Sequence, residues 1–207
     1  VRMLSLVSKD LGIDPKSYSP KYLLGQISNL KNELIDYEDA ISKAVTAQEQ
    51  TVAQAYGEYQ RRLMLASAVD FDDLIGHTVA LLQAFPDVAE HYHRRFRHVL
   101  VDEYQDTNHA QYVLIRELVG NGKDGIAPAE LCVVGDADQS IYAFRGANIR
   151  NIVEFERDYS DAKTVVLEQN YRSTQNILTS ANSVIEKNSG RPAKRLWTAE
   201  GSGEKIV

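Results

Sequence analysis

Two carboxylates follow an apolar run in Val99-Leu100-Val101-Asp102-Glu103-Tyr104-Gln105-Asp106. A carboxylate at the end of a buried strand is costly unless it is paired or bound to a metal. Two adjacent acids there suit Mg-nucleotide chemistry. Asp102 would hold the magnesium, usually through water, and Glu103 would orient and deprotonate the attacking water. The plainer alternative is an acidic turn that leaves the sheet for solvent. For an apolar run ending in Asp-Glu taken alone, that alternative leads. The Gln-Asp that follows, and a second motif downstream, reverse the balance.

The second motif is Val134-Gly135-Asp136-Ala137-Asp138-Gln139-Ser140-Ile141-Tyr142-Ala143-Phe144-Arg145-Gly146-Ala147. Gln139 is of the type that senses a bound nucleotide. Tyr142, Phe144 and Arg145 form an aromatic and cationic cluster. Exposed aromatics stack on bases whatever the base sequence, at roughly 1–3 kcal/mol per base, and arginine adds phosphate contacts. Core packing is the alternative for one of the two aromatics. A third segment, Leu167-Glu168-Gln169-Asn170-Tyr171-Arg172-Ser173, again follows an apolar run. Arg172 is placed to reach a γ-phosphate across a domain cleft, and Tyr171 to stack on a purine. The same stretch also reads as a helix start, capped by Ser173 or Thr174, with Arg172 in a surface pair. The two readings are compatible.

These residues need a frame. Val99–Val101, Leu131-Cys132-Val133-Val134 and Thr164-Val165-Val166-Leu167 are short continuous apolar runs, and helix-length segments (Gln111–Val119, Asn148–Tyr159) lie between them. That alternation predicts an α/β fold with a parallel sheet covered on both faces. Ligands of such sheets bind beyond the carboxyl ends of the strands. Asp102, Glu103, Asp136, Gln139 and Arg172 are therefore expected at one cleft. A further helix is expected from Ser173 to Lys187, with Ile177, Leu178, Ala181, Val184 and Ile185 on its apolar face. Residues 1–96 read as helices throughout. Ser19-Pro20 caps one that carries Leu23, Ile27, Leu30 and Leu34, and Val52, Tyr56, Tyr59 and Leu63 mark a second. A third starts at Asp70 with Phe71, Leu74, Ile75 and Leu82 on its apolar side, and Pro86 opens a short polar one.

With 43% hydrophobic and 25% charged residues among 207, the chain reads as an ordinary folded protein. No run approaches the ~18 apolar residues of a membrane span, and no secretory signal is evident. A single cysteine, Cys132, excludes an internal disulfide and fits a reducing cytoplasm. The net charge of -6 lacks the basic footprint usual in nucleic-acid binders. A strand-tracking motor needs only local contacts and an acidic nucleotide site, so this counts weakly against DNA.

Taken in order and spacing, the three segments resemble motifs II, III and IV of superfamily-one DNA helicases, most closely the UvrD/Rep/PcrA group. The resemblance runs from about Asp70 to Trp197. It implies a partial RecA-like sheet of the P-loop NTPase class with a helical insertion. It also implies a DNA-stimulated ATPase moving 3′ to 5′ on single-stranded DNA and opening single-/double-strand junctions in repair or replication. Residue by residue, it implies Asp102 and Glu103 at Mg2+ and ATP, and Gln139 at the γ-phosphate. Phe144 and Tyr142 are implied at DNA bases beside Arg145, Tyr171 as a stacking residue and Arg172 as a γ-phosphate arginine. The implied units are 1–96 (helical), 97–168 (first RecA-like) and 169–207 (start of the second). The group's Asp-Phe-Asp-Asp-Leu segment is matched at Asp70–Leu74, where helix capping is the preferred reading.

One departure stands out. The phosphate loop Gly-x-x-x-x-Gly-Lys-Ser/Thr is missing, and Gly120-Asn121-Gly122-Lys123-Asp124 has neither its spacing nor its hydroxyl. The expectation is an internal fragment that alone binds ATP weakly or not at all and does not turn it over. The alternatives are a non-catalytic helicase-like interaction module, or the helicase part of a helicase–nuclease. His91, His93 and His98 are expected as a solvated helix end rather than a metal site. Lys187, Arg191, Lys194 and Arg195 form a basic stretch, of a kind more often solvated than bound to phosphate.

Overall fold

The computed structural model describes residues 1–140, 151, 155–187 and 194–206. Helices fill the chain up to Arg95: α1 (Arg2–Asp10), α2 (Pro20–Asn32), α3 (Tyr37–Lys43), α4 (Ala47–Leu65), α5 (Phe71–Ala84) and α6 (Pro86–Arg95). Their starts are written in local chemistry. Ser19 Oγ accepts the Tyr22 N–H ahead of α2, and Pro20 takes the first helical position, where no N–H is needed. Thr46 with Glu49, and Asp70 with Asp73, close reciprocal capping boxes on α4 and α5.

Helices α1 to α4 share one core. Leu4, Val7, Leu23, Ile27, Ala55, Tyr56, Tyr59 and Leu63 are buried together, with Ile13, Tyr22 and Leu30 packed at its margin. The helical spacing of these residues is what brings them to one side of each helix. Helix α5 packs against both α2 and α7 (His109–Val119), and α6 packs on both α5 and α7.

The chain changes character at β1 (His98–Val101). It runs through α7 and returns as β2 (Glu130–Val133), a βαβ unit whose two strands pair in parallel, Val99 opposite Leu131 and Leu100 opposite Cys132. Helix α7 opens on a capping box of Asn108 and Gln111 and ends at Gly120, whose φ of 78° needs no Cβ. After β2 come α8 (Phe155–Asp158) and α9 (Gln175–Ile185).

Three expectations are corrected. Thr164–Leu167 does not join the sheet. Val165, Val166 and Leu167 are 67%, 56% and 77% exposed, and the only pairing nearby among the described residues is the isolated parallel bridge Gln169–Trp197. An apolar run becomes a strand only where a neighbouring strand takes its N–H and C=O groups, and none of the described strands lies beside this one. Nor is the β1–β2 sheet covered on both faces. Val99, Val101, Leu131 and Val133 are half-buried, whereas Leu100 and Cys132 are exposed. Helix α9 buries Leu178 but leaves Ile177 and Val184 exposed; Thr174 is its N-cap residue, one of the two expected, though its side chain makes no capping hydrogen bond. The expected helix Asn148–Tyr159 falls largely outside the described residues. Among the described residues, no helix is long and apolar enough to cross a membrane.

Candidate active site

Parallel pairing sends both strands out of the sheet at the same edge, so the residues after Val101 and Val133 meet there. The ladder continues briefly past the strands. Val134 N–H donates to Val101 O at 2.8 Å, and Tyr104 N–H donates to Val134 O at 2.9 Å. Between those two bonds the chain turns at Glu103, which adopts φ 50°, ψ 41°. A non-glycine residue in this left-handed region stores about 1–3 kcal/mol of strain, and such strain concentrates at working sites. The turn brings the Glu103 N–H onto Asp102 Oδ1 at 2.9 Å.

Gln105 joins the two strand ends. Its side chain is 1% exposed. Its Nε2 donates to Glu103 Oε2 at 2.7 Å, while its Oε1 accepts the Asp136 N–H at 3.0 Å. The Asp136 carboxylate in turn receives Gln139 Nε2 at 2.9 Å and the Asp138 N–H at 3.0 Å. The Lys194 ammonium pairs with Asp136, and it lies 3.3 Å from Asp138 Oδ2. Burial pushes the Asp136 carboxyl up, but the hydrogen bonds from Lys194, Gln139 and the Asp138 N–H outweigh it and hold the group below the usual carboxylate value.

Asp102, Glu103, Asp136 and Gln139 are thus gathered at one edge. Tyr171 and Arg172 sit on a separate turn, made by Asn170 Oδ1 accepting the N–H groups of Arg172 and Ser173 at 2.9 and 2.7 Å. Tyr171 is 76% exposed, with its hydroxyl donating to Gln169 Oε1. Among the described residues, the Arg172 guanidinium makes no hydrogen bond or ion pair. Tyr142, Phe144 and Arg145 lie outside the described residues.

Two participants were not foreseen as site residues. Gln105 sits inside the motif that holds Glu103, yet nothing local signals that it spans two strands. Lys194 stands in the sequence only as part of a basic run. As to metal chemistry, Asp102 Oδ2 and Glu103 Oε1 have no protein partner among the described residues. Two open carboxylate oxygens suit magnesium, which usually takes one or two carboxylates and fills its shell with water and phosphate oxygens. No group of three or more His, Cys, Asp or Glu that would cage a metal by itself occurs among the described residues. His93 is not merely solvated: its ring nitrogens meet Asp124 Oδ2 and the Glu117 carbonyl.

A parallel βαβ unit with acids at its strand ends, attached to a helical bundle, defines an α/β protein whose polar chemistry sits at the carboxyl edge of the sheet. The profile of the UvrD/REP helicase N-terminal domain matches residues 2–160, and that of the UvrD-like helicase C-terminal domain matches residues 165–207. The chain belongs to the UvrD/REP helicase family. It is 67% identical over 210 residues to the ATP-dependent DNA helicase UvrD1 of Mycobacterium tuberculosis (strain ATCC 25618 / H37Rv), covering 100% of this chain and 27% of that protein. The UvrD1 of Mycobacterium leprae is 65% identical over 212 residues, 99% of this chain and 27% of its own length. The ATP-dependent DNA helicase PcrA of Staphylococcus aureus (strain NCTC 8325 / PS 47) is 52% identical over 200 residues, 97% of this chain and 27% of its own. The chain therefore spans about a quarter of the length of these relatives.

Proposed function

We propose that this chain works as part of an ATP-dependent 3′-5′ DNA helicase that couples Mg-ATP hydrolysis to movement along single-stranded DNA. The observation that carries the reading is the Glu103–Gln105–Asp136–Gln139 chain of hydrogen bonds across two parallel strand ends. It ties a general-base candidate to a nucleotide-sensing candidate through one buried amide, an arrangement a scaffold has no physical need for.

In this reading Asp102 and Glu103 would hold the magnesium, which when bound would supply positive charge to offset that of the nucleotide phosphates. Glu103 accepts the proton of the attacking water, and the amide of Gln105 fixes which carboxylate oxygen is free to do so. Gln139 leaves Asp136 to contact the γ-phosphate. Arg172, whose guanidinium makes no hydrogen bond or ion pair among the described residues, is available to the same phosphate, and exposed Tyr171 to the base. Tyr142, Phe144 and Arg145 are assigned to DNA bases and phosphates on the family resemblance. The proposed units are a helical subdomain (1–96), part of a first RecA-like domain (97–168) and the start of a second (169–207). The phosphate cradle is a Gly-x-x-x-x-Gly-Lys-Ser/Thr loop, which these 207 residues do not contain. The functional unit is this chain together with such a loop.

The test is Glu103→Gln in the loop-bearing protein. Mg-ATP binding should stay nearly intact while hydrolysis falls roughly a hundredfold or more, the scale of general-base catalysis. Unchanged turnover would overturn the role given to Glu103.

A further inference from the structure

Lys194 belongs to the second family match, residues 165–207, and Asp136 to the first, residues 2–160. The side chains involved are largely covered: Lys194 is 19% exposed, Asp136 24% and Asp138 14%. The segment that presents the lysine is held firmly. Trp197 N–H donates to Glu168 O at 3.1 Å, and Asn170 N–H donates to Trp197 O at 2.7 Å. Arg195 N–H donates to Glu168 Oε1 at 3.2 Å, and Asn182 Nδ2, from α9, donates to Leu196 O at 2.9 Å. Lys194 is therefore tied through the backbone to the stretch Glu168–Asn170, two residues from Arg172. Its ammonium lands on the carboxylate that also holds Gln139.

We propose that Lys194 is a positioning residue that couples the Arg172-bearing segment to the release of Gln139. The inference rests on the assignment of Gln139 to the nucleotide. Asp136 divides its carboxylate between Gln139 on one oxygen and Lys194 on the other. With the ammonium in place, much of the negative charge is already compensated, and the amide of Gln139 is held by a weakened acceptor. With the ammonium withdrawn, Asp136 becomes a full anion whose charge-assisted bond keeps Gln139 parked. Movement of the Glu168–Arg172 stretch moves Lys194 with it, so the position of the arginine and the freedom of the glutamine change together. Exposed charge pairs contribute little, but a pair as covered as this one is less screened by salt.

Two measurements test it. In the 207-residue chain, the Asp136 carboxyl is titrated by carbon-detected NMR, with no nucleotide present. Lys194→Met should move the Asp136 midpoint upward, and Lys194→Arg should leave it low. An unmoved midpoint in Lys194→Met would show that the pair does not form and would overturn the proposal. In the loop-bearing protein, Lys194→Met should lower DNA-stimulated kcat for ATP by about tenfold, an ordinary inter-site coupling, with KM for ATP little changed and Lys194→Arg restoring the rate. A shifted midpoint with kcat unchanged leaves the pair as structure only and overturns the positioning role. Lys194→Gln, which keeps most of the side chain's length, replaces Lys194→Met if the latter misfolds. Failure of the Glu103→Gln test, by contrast, removes the role given to Glu103 while leaving the NMR result on the Lys194–Asp136 pair standing.

Discussion

Lys31 Nζ stands 2.7 Å from Asp73 Oδ1, with the lysine side chain 4% exposed and the aspartate 5%. The same ammonium takes Asp70 Oδ2 at 2.7 Å and lies 5.7 and 5.3 Å from the ring centres of Tyr56 and Tyr59. Asp70 and Asp73 are also the capping box of α5. Two acids thus do two tasks at once: they satisfy the orphan N–H groups at the start of α5 and neutralise a lysine brought in by α2. Tyr59 and Gln60 of α4 donate to the same carboxylates, so three helices converge on one buried cluster.

Removing the cation should therefore be costly. Lys31→Met leaves two largely buried carboxylates uncompensated and should lower unfolding stability by about 3–5 kcal/mol. Urea unfolding of the chain measures it, and a loss below about 1 kcal/mol would mean the pair behaves like a surface pair. The pH dependence has a definite sign. Burial pushes the Asp73 carboxyl up, but hydrogen bonds from Lys31, the Asp70 N–H and Gln60 outweigh it and hold the group below 3.8. A depressed carboxylate stabilises the fold above its ordinary value, and the contribution is lost as pH falls from there toward the folded value. The stability gap between the native chain and Asp73→Asn should narrow across that acid window.

His93 gives the opposite dependence. Its Nδ1 meets Asp124 Oδ2 at 2.5 Å and its Nε2 meets the Glu117 carbonyl at 2.7 Å, two acceptors that only the imidazolium satisfies at once. Burial pushes its pKa down, yet Asp124 and the Glu117 carbonyl outweigh that and raise it above 6.5. The stabilisation is fully present below that ordinary value and is lost as pH rises through the folded one. An NMR titration should place the His93 midpoint above the ordinary value, and Asp124→Asn should bring it down. A midpoint that ignores Asp124→Asn would show that the ion pair does not form.

Gln105→Ala should separate the strand ends chemically without unfolding the sheet. It removes the donor to Glu103 and the acceptor for the Asp136 N–H, and a buried group left unpaired costs about 1–3 kcal/mol. In the loop-bearing protein, hydrolysis should fall while nucleotide binding changes less, because the free oxygen of Glu103 is no longer fixed. Full activity in this variant would mean that Glu103 is oriented by other groups.

What was legible in the sequence was what the chain settles locally. Ser19-Pro20, Asp70 and the apolar runs before Asp102 and Asp136 each carry their own start or stop chemistry, and the helices and both paired strands lie where that chemistry puts them. What was not legible depends on distant partners. Gln105 reaches Asp136 across 31 positions and Lys194 reaches it across 58, distances that no local pattern encodes. Thr164–Leu167 failed in the reverse sense. Its β-branched composition reads as a strand, but a strand is made by its neighbour, and among the described residues its only nearby pairing is the single bridge at Gln169.

Gly120 links the end of α7 to the His93 contact. Its φ of 78° and ψ of 173° fall in a region essentially reserved for glycine. A Cβ built there would stand 3.2 Å from three ring atoms of His93. Gly120→Ala therefore strains the backbone, at about 1–3 kcal/mol, and also pushes the imidazole away from the Glu117 carbonyl. Two readouts should move together: unfolding stability falls, and the His93 titration midpoint drops toward its ordinary value. Loss of stability with the midpoint unmoved would confine the effect to the backbone and show that the ring has room to yield.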